Sequence, residues 1–336
     1  MKLKANLKGE DKMKGKKLGL FILISSIITS ELVTGWTSKN ESKDNSDKLI
    51  TLVLDKGGVN DESFNQLAWK GAQDAKEEYG VTVKYLESNS DADYKTNIET
   101  AIDMESDLII GVGFNLTDPI KNAAESYKEQ KFAIVDGSFE TIPSNVTPIL
   151  FDEKEAGYLA GLVVGKTVDS DKFGFIGGLQ VPAVLNYRDG FVQGLKEVNN
   201  KAVLVEQFAN SFTDAAKGKA IASQMYSDNV ECIMTAGGGV NLGVYESGKE
   251  IGKYAVAVDM SQSHISPTVI ITSALKKVDN GIKETIGHLV NDDLTGGKAL
   301  VYNILNDGVG YEKTDLISKD TEKYVNDQIK KLKEQK

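Results

Sequence analysis

From residue 49 onward, short apolar runs alternate with segments whose apolar residues recur at helical spacing, and the whole series occurs twice. LITLVL (49–54) reads as a strand, and FNQLAWKGAQDAKEEYG then reads as a helix stopped by Gly80. VTVKYL, DLIIGVG, FAIVD and TPILF continue the strands, with helices expected near 93–105 and 117–130. After a small-residue helix (EAGYLAGLVVGKT) the theme restarts at KFGFIGG. It runs through AVLVEQF, ECIMTA and YAVAVD with helices near 183–197, 213–227 and 241–251, and closes on PTVIITSALKKVDNGIKETIGHLV and a less regular tail. Repeated β-α units need crossover helices between parallel strands, so the fold class is α/β. Two series predict two doubly wound parallel-sheet lobes rather than one very wide sheet. The first lobe is expected over 49–151 plus about 275–298, and the second over 152–272 plus about 299–336.

Composition narrows the function classes. The chain has 336 residues, enough for two sizeable cores, and a net charge of −10. Residues 1–36 carry seven lysines against three acids, a net +4, which leaves −14 for the remainder. A body that acidic repels phosphate backbones, so no nucleic-acid polymer is expected as a partner. A single cysteine, Cys232, in the apolar run VECIMTA, excludes a disulfide framework, and two histidines argue against a His-based zinc site or catalytic triad. The N-terminus reads as a leader: Lys12, Lys14, Lys16 and Lys17 precede LGLFILISSIITS, too short to span a bilayer but suited to a signal peptide. Leu32-Val33-Thr34-Gly35 looks like the run before a lipid-bearing cysteine, but Trp36 stands where that cysteine would be. Residues 37–48 read as a flexible tether.

Three strand-like runs end in an acid: Asp55, Asp136 and Asp259. In open α/β sheets ligands lie beyond the carboxyl ends of the strands, where a carboxylate can accept hydrogen bonds from hydroxyls or base N–H groups. Each acid alone is more readily a helix cap or a turn residue; three spread over two lobes favour a shared polar cleft. Phe64 and Phe212 sit among polar, cap-like residues rather than on a core stripe, and are read as occupying equivalent passages of the two lobes. Each is either a hydrophobic staple or one half of an aromatic clamp across a cleft; the matching positions favour the clamp. Gly237, Gly238 and Gly239 follow a strand and open a helix, with Asp259 ending the next strand. The spacing is not that of a dinucleotide fingerprint, so the glycines are read as allowing close backbone approach to a ligand, and Asp259 as accepting from ribose hydroxyls. Lys276 and Lys277, adjacent at a strand end, are either a solvated pair or a counter-charge to the cleft carboxylates.

At DKGGVNDESFNQLAWKG (55–71) the chain closely resembles the basic membrane protein family, purine nucleoside receptors that serve as binding lipoproteins of ABC importers. Their Asp-Asp-x-Ser-Phe-Asn motif reads Asn60-Asp61-Glu62-Ser63-Phe64-Asn65 here, with one departure at Asn60. GVGFNLTD (111–118), AIVDG (133–137), FGFIGG (173–178), the SFTD segment at Phe212, AGGG (236–239), VAVD (256–259) and SALKKVD (273–279) extend the likeness over roughly 48–310. The resemblance implies a type I periplasmic-binding-protein fold, two lobes closing on a ligand about a hinge. It implies a base sandwiched by Phe64 and Phe212, with polar contacts from Asp61, Asn65 and Asp136. Ribose contacts would come from Gly238, Asp259 and Lys276, with Asp55 near the same cleft. It implies adenosine, guanosine or inosine as ligand, an ABC permease as partner, the cell-membrane surface as location and a monomer. No cofactor, metal or catalytic residue is expected. A sugar binder in the same fold, and more distantly a nucleoside-processing enzyme, are the competing readings.

Overall fold

The computed structural model describes residue 45 and residues 47–335; the expected leader (1–36), and the tether apart from positions 45, 47 and 48, lie outside them. The first series of strands is β1 (Leu49–Leu54), β2 (Thr82–Leu86), β3 (Leu108–Val112), β4 (Phe132–Val135) and β5 (Val146–Phe151). The second is β6 (Lys172–Gly177), β7 (Val203–Phe208), β8 (Cys232–Ala236), β9 (Tyr254–Asp259) and β10 (Ile270–Lys276). Two short strands follow, β11 (Leu300–Tyr302) and β12 (Val309–Tyr311). The helices are α1 (Phe64–Tyr79), α2 (Asp91–Asp103), α3 (Thr117–Ser126), α4 (Glu153–Thr167), α5 (Pro182–Val198), α6 (Ala215–Ser227), α7 (Val240–Ile251), α8 (Val278–Val290) and α9 (Lys319–Gln335).

These strands form two six-stranded sheets, ordered β11-β5-β4-β3-β1-β2 and β12-β10-β9-β8-β6-β7, the same order strand for strand. All pairings are parallel except β12 against β10. In each sheet the winding reverses beside the first strand, between β1 and β3 and between β6 and β8. That is the switch point at which open α/β sheets leave a crevice. Both faces of the sheets are covered, which explains the near-continuous apolar runs. Ile50, Leu52 and Leu54 of β1 pack in one cluster with Ala68 and Ala72 of α1 and Ile282 of α8. Val53 packs in another with Tyr94 and Ile98 of α2 and Ile120 of α3.

Three passages join the lobes: β5 to α4 through Asp152, β10 to α8 through Lys277, and β11 to β12 through residues 303–308. They run side by side. The Asp152 N–H donates to the Tyr302 carbonyl at 2.8 Å, and the Lys277 N–H to the Gly308 carbonyl at 2.9 Å. The Asp152 side chain also caps α4 by accepting from the Glu155 N–H at 3.1 Å.

The structure departs from the sequence reading in three places. The irregular tail is in fact α9, whose apolar residues are too diluted by lysines to stand out; Val325 and Gln328 are buried, and Tyr324, Ile329 and Leu332 pack on the core. Strand β11 hydrogen-bonds β5 in the first sheet, whereas the sequence pattern places 299–336 in the second lobe. Finally, Phe64 opens α1, after the first strand of its lobe, whereas Phe212 lies between β7 and α6, after the second strand of the other. Given the shared sheet order, the two passages are not equivalent.

The small residues of α4 have a packing cause. A Cβ at Gly157 or Gly161 would lie 2.3 Å from the Tyr187 carbonyl oxygen or 2.4 Å from that of Phe191. From α5, one at Gly190 or Gly194 would lie 2.0 Å from the Lys154 oxygen or 2.1 Å from that of Tyr158. Glycines four apart on both helices therefore let the two backbones touch, which fixes the first turns of α4 and α5 beside the cleft. Gly194→Ala is expected to destabilise the protein by about 1–3 kcal/mol through overpacking. Gly310→Ala, which meets nothing within 4 Å, should stay within about 0.5 kcal/mol of the parent. Denaturant unfolding of both variants checks this.

Candidate functional site

The carboxyl ends of both sheets border one cavity between the lobes, about 700 Å³ of space with its mouth included. All nine residues singled out from the sequence line it: Asp55, Asp61, Phe64, Asn65, Asp136, Phe212, Gly238, Asp259 and Lys276. They do not occupy it in the same way.

Lys276, the last residue of β10, is 2% exposed and faces three carboxylates. Its Nζ lies 2.6 Å from Asp136 Oδ2, 3.5 Å from Glu153 Oε1 and 3.8 Å from Asp259 Oδ1. Asp136 belongs to the first lobe, Glu153 is the first residue of α4, and Asp259 ends β9. Phe64, Tyr187 and Phe151 ring the ammonium at 4.8, 5.7 and 5.8 Å from its nitrogen to their centroids. One cation among three buried acids leaves the acids short of compensation. Burial alone would lower the Lys276 pKa, but Asp136, Glu153 and Asp259 together raise it, so it stays protonated. Burial raises the carboxyl of Asp136, against the pull of Lys276. It raises that of Glu153 to about 7, again chiefly by desolvation, with Lys276 opposing and Asp136 adding to the rise. Lys277 occupies the N-cap position of α8 without a side-chain cap bond, and of the adjacent lysines only Lys276 borders the cavity.

Asp136 and Asp259 occupy corresponding places, just past β4 and at the end of β9, and both have left-handed backbones, at φ 60° and 68°. Such a conformation is uncommon outside glycine and is most readily adopted by short polar residues. Asp259 accepts from Ser63 Oγ at 2.8 Å and from the Tyr187 hydroxyl at 3.2 Å. Asp136 Oδ1 and Asn65 Oδ1 are buried with no hydrogen-bond partner among the described residues. Two such acceptors at one cavity are a site for N–H or O–H donors on a ligand.

Asp55 and Asp61 have structural duties. Asp55 accepts from the Tyr94 hydroxyl, from its neighbour Lys56 N–H at 2.6 Å and from Asn115 Nδ2 at 2.9 Å. Asp61 caps α1: its oxygens accept from the N–H groups of Ser63, Asn65 and Gln66 at 3.0, 2.9 and 3.1 Å. Burial raises the pKa of both acids despite these bonds. Phe64 and Phe212 are half-buried at the cavity. Phe212 owes its seat to glycines. A Cβ on Gly178 would lie 2.3 Å from its ring carbons, and the Gly239 N–H donates to its carbonyl at 2.9 Å, with Gly238 at φ 58° between strand and helix. The glycine run thus seats a ring-bearing loop as well as bordering the cavity.

Sequence reasoning missed three contributors. Phe114 follows β3 at the switch point and lines the cavity, a position its place after a strand end could have revealed. Tyr187 lies inside α5 and Glu153 opens α4, where nothing in the local spacing marks them; both arrive through the close α4–α5 packing. Among the described residues no cluster of His, Cys, Asp or Glu is arranged to hold a metal ion.

The geometry has counterparts among known proteins. The family model for Bmp, described as ABC transporter substrate-binding protein PnrA-like, matches residues 48–336. The CD4+ T-cell-stimulating antigen of Listeria innocua is 35% identical over 334 residues, with 91% of this chain and 93% of that protein covered. The ABC transporter nucleoside-binding protein BmpA of Lactococcus lactis subsp. cremoris is 33% identical over 293 residues, covering 81% and 83%. An ABC transporter solute-binding protein from Aeropyrum pernix K1 matches in structure with a TM-score of 0.78 at 25% identity, over 85% of this chain and 91% of that one.

The raised Glu153 carboxyl has a pH consequence. Between its ordinary 4.5 and about 7 the folded protein keeps a proton that the unfolded chain has released. Stability from this group therefore falls as pH rises through that window. Glu153→Gln, which mimics the protonated form, should raise the melting temperature by a few degrees at pH 8 and change it little at pH 5. Calorimetric scans at the two pH values decide it; an equal shift at both would contradict the assignment.

Proposed function

We propose that this chain, which belongs to the Bmp family of PnrA-like ABC transporter substrate-binding proteins, captures purine nucleosides between its lobes and delivers them to a membrane permease. The observation that carries this reading is the composition of the inter-lobe cavity. Two half-buried aromatic rings from opposite lobes, Phe64 and Phe212, border it together with the unpartnered acceptors Asn65 Oδ1 and Asp136 Oδ1. Flat apolar surfaces beside orphan acceptors suit a planar ring that carries N–H donors, and stacking of one base on one aromatic side chain is worth about 1–3 kcal/mol. The nucleoside-binding relative supports the ligand class.

In this reading Phe64 and Phe212 cover the base, and Asn65 and Asp136 accept from its edge. Asp259, Lys276 and the backbone at Gly238 meet the ribose, while Asp61 and Asp55 shape the loops that carry these groups. Adenosine, guanosine and inosine are the candidate ligands. The chain acts without chemistry and without a cofactor, as an exported monomer at the cell surface, where lobe closure is what the permease recognises. Trp36 in place of a lipid-bearing cysteine leaves no thiol for thioether attachment at that position.

Calorimetric titration with adenosine, guanosine, inosine, cytidine and ribose, with each mixture assayed for free base, tests the proposal. Purine nucleosides are expected to bind and to be recovered intact. Preference for ribose would make the protein a sugar binder, and release of free base would make it an enzyme. Phe64→Ala and Phe212→Ala should each weaken nucleoside binding by about 1–3 kcal/mol, and unaltered affinity in both would refute the clamp.

A further inference from the structure

We infer that Ser63 is the closure latch of the cleft: a positioning residue whose hydroxyl reaches from the first lobe to Asp259 in the second and so holds the lobes shut around a ligand. This rests on the reading that the ligand lies in the inter-lobe cavity, and adds to it the group that governs how long the cavity stays closed.

Ser63 precedes the first residue of α1, the position where serine ordinarily bonds its own helix's free N–H groups. Here it makes no such bond. Asp61, two residues earlier, has taken over that work with both carboxylate oxygens, bonding the N–H groups of Ser63, Asn65 and Gln66. The intervening residue, Glu62, turns the chain through a left-handed conformation at φ 53°. The Ser63 hydroxyl is thereby released from capping, and it donates across the lobe boundary to Asp259 Oδ2 at 2.8 Å. Ser63 is 1% exposed and Asp259 7% exposed. A hydrogen bond to a carboxylate in so dry a place is among the stronger kinds.

The receiving side is built to be rigid. Gln262, 1% exposed, approaches Ser63 Oγ with its Nε2 at 3.5 Å; its Oε1 accepts from the Tyr245 hydroxyl at 2.7 Å, and its Nε2 also donates to the Val258 carbonyl at 3.0 Å. The loop that carries Gln262 is gripped by Glu312, which accepts from the hydroxyls of Ser261, Ser263 and Ser273. Asp259 thus presents its carboxylate from a pinned backbone, one oxygen toward Tyr187 of its own lobe and the other toward Ser63 of the opposite one. Because Asp259 also lines the cavity, a ligand hydroxyl bonded to it and the Ser63 latch share one acceptor, and each orients that acceptor for the other.

Two labels report closure directly: Lys95→Cys on α2 and Lys249→Cys on α7, both exposed, in a chain whose one native thiol, Cys232, is buried. Inter-label distance distributions are read with and without inosine, and inosine release is followed by stopped flow. In Ser63→Ala the distribution is expected to shift toward open lobes. Release should accelerate about tenfold, the size expected for a hydrogen bond to a charged group, with the association rate unchanged. The melting temperature should stay near the parent's, whereas Asp61→Ala, which removes the actual cap, should lower it. Distance distributions and release rates identical to the parent's overturn the latch. So does a Ser63→Ala melting loss equal to that of Asp61→Ala with closure unaffected, which would make Ser63 a cap after all. Failure of inosine to bind the parent overturns the nucleoside reading instead, and the distance comparison still decides the latch.

Discussion

A single buried ammonium, that of Lys276, organises the centre of this protein. It ends the strand leading into one of the three inter-lobe passages, and Glu153, 3.5 Å away, begins the helix that follows another. Its shortest bond, 2.6 Å, goes to Asp136 of the opposite lobe. The hinge and the cleft therefore share one charged group. Remove the cation and three carboxylates are left buried without a counter-charge, a far larger loss than the deletion of an exposed ion pair. The surrounding rings of Phe64, Tyr187 and Phe151 exclude water from it and add their own attraction to a cation. A ligand entering the cavity meets an electrostatic arrangement already assembled, rather than one it must assemble itself.

Much of this was legible in the sequence because parallel sheets impose a rule. Every parallel strand of a doubly wound lobe ends at the same edge, so acids terminating such runs gather there, as Asp55, Asp136 and Asp259 do. What the pattern could not convey was the duty of each. Asp61 reads equally well as a cap or as a ligand contact, and its three bonds to backbone N–H groups make it a cap. Glu153 and Tyr187 carry no local signal, since their place depends on the closeness of two helices and that closeness on glycines in both. Helix α9 escaped notice because its apolar stripe is thin among lysines, and the short strand β11 because three residues offer no periodicity to detect.

The two phenylalanines teach a subtler lesson. Both border the cavity, yet the ground for pairing them, equivalence between the lobes, does not hold. One ring follows the first strand of its lobe and the other the second strand of its own. Duplicate strand order has not produced a duplicate site. Asp136 and Asp259 do stand at corresponding places, yet even they differ in partners: one hydrogen-bonds Lys276, and the other Ser63 and Tyr187.

The left-handed backbone at those two aspartates also governs how such a site can change over time. Most side chains are strained at φ near 60–70°, and asparagine and glycine are the replacements that fit most readily. Asparagine would exchange a pure acceptor for an amide that both donates and accepts, at no cost in backbone geometry. Drift at the centre of the cleft is thus channelled: an inherited conformation leaves a narrow door, and that door leads from ligands rich in donors toward ligands that present acceptors.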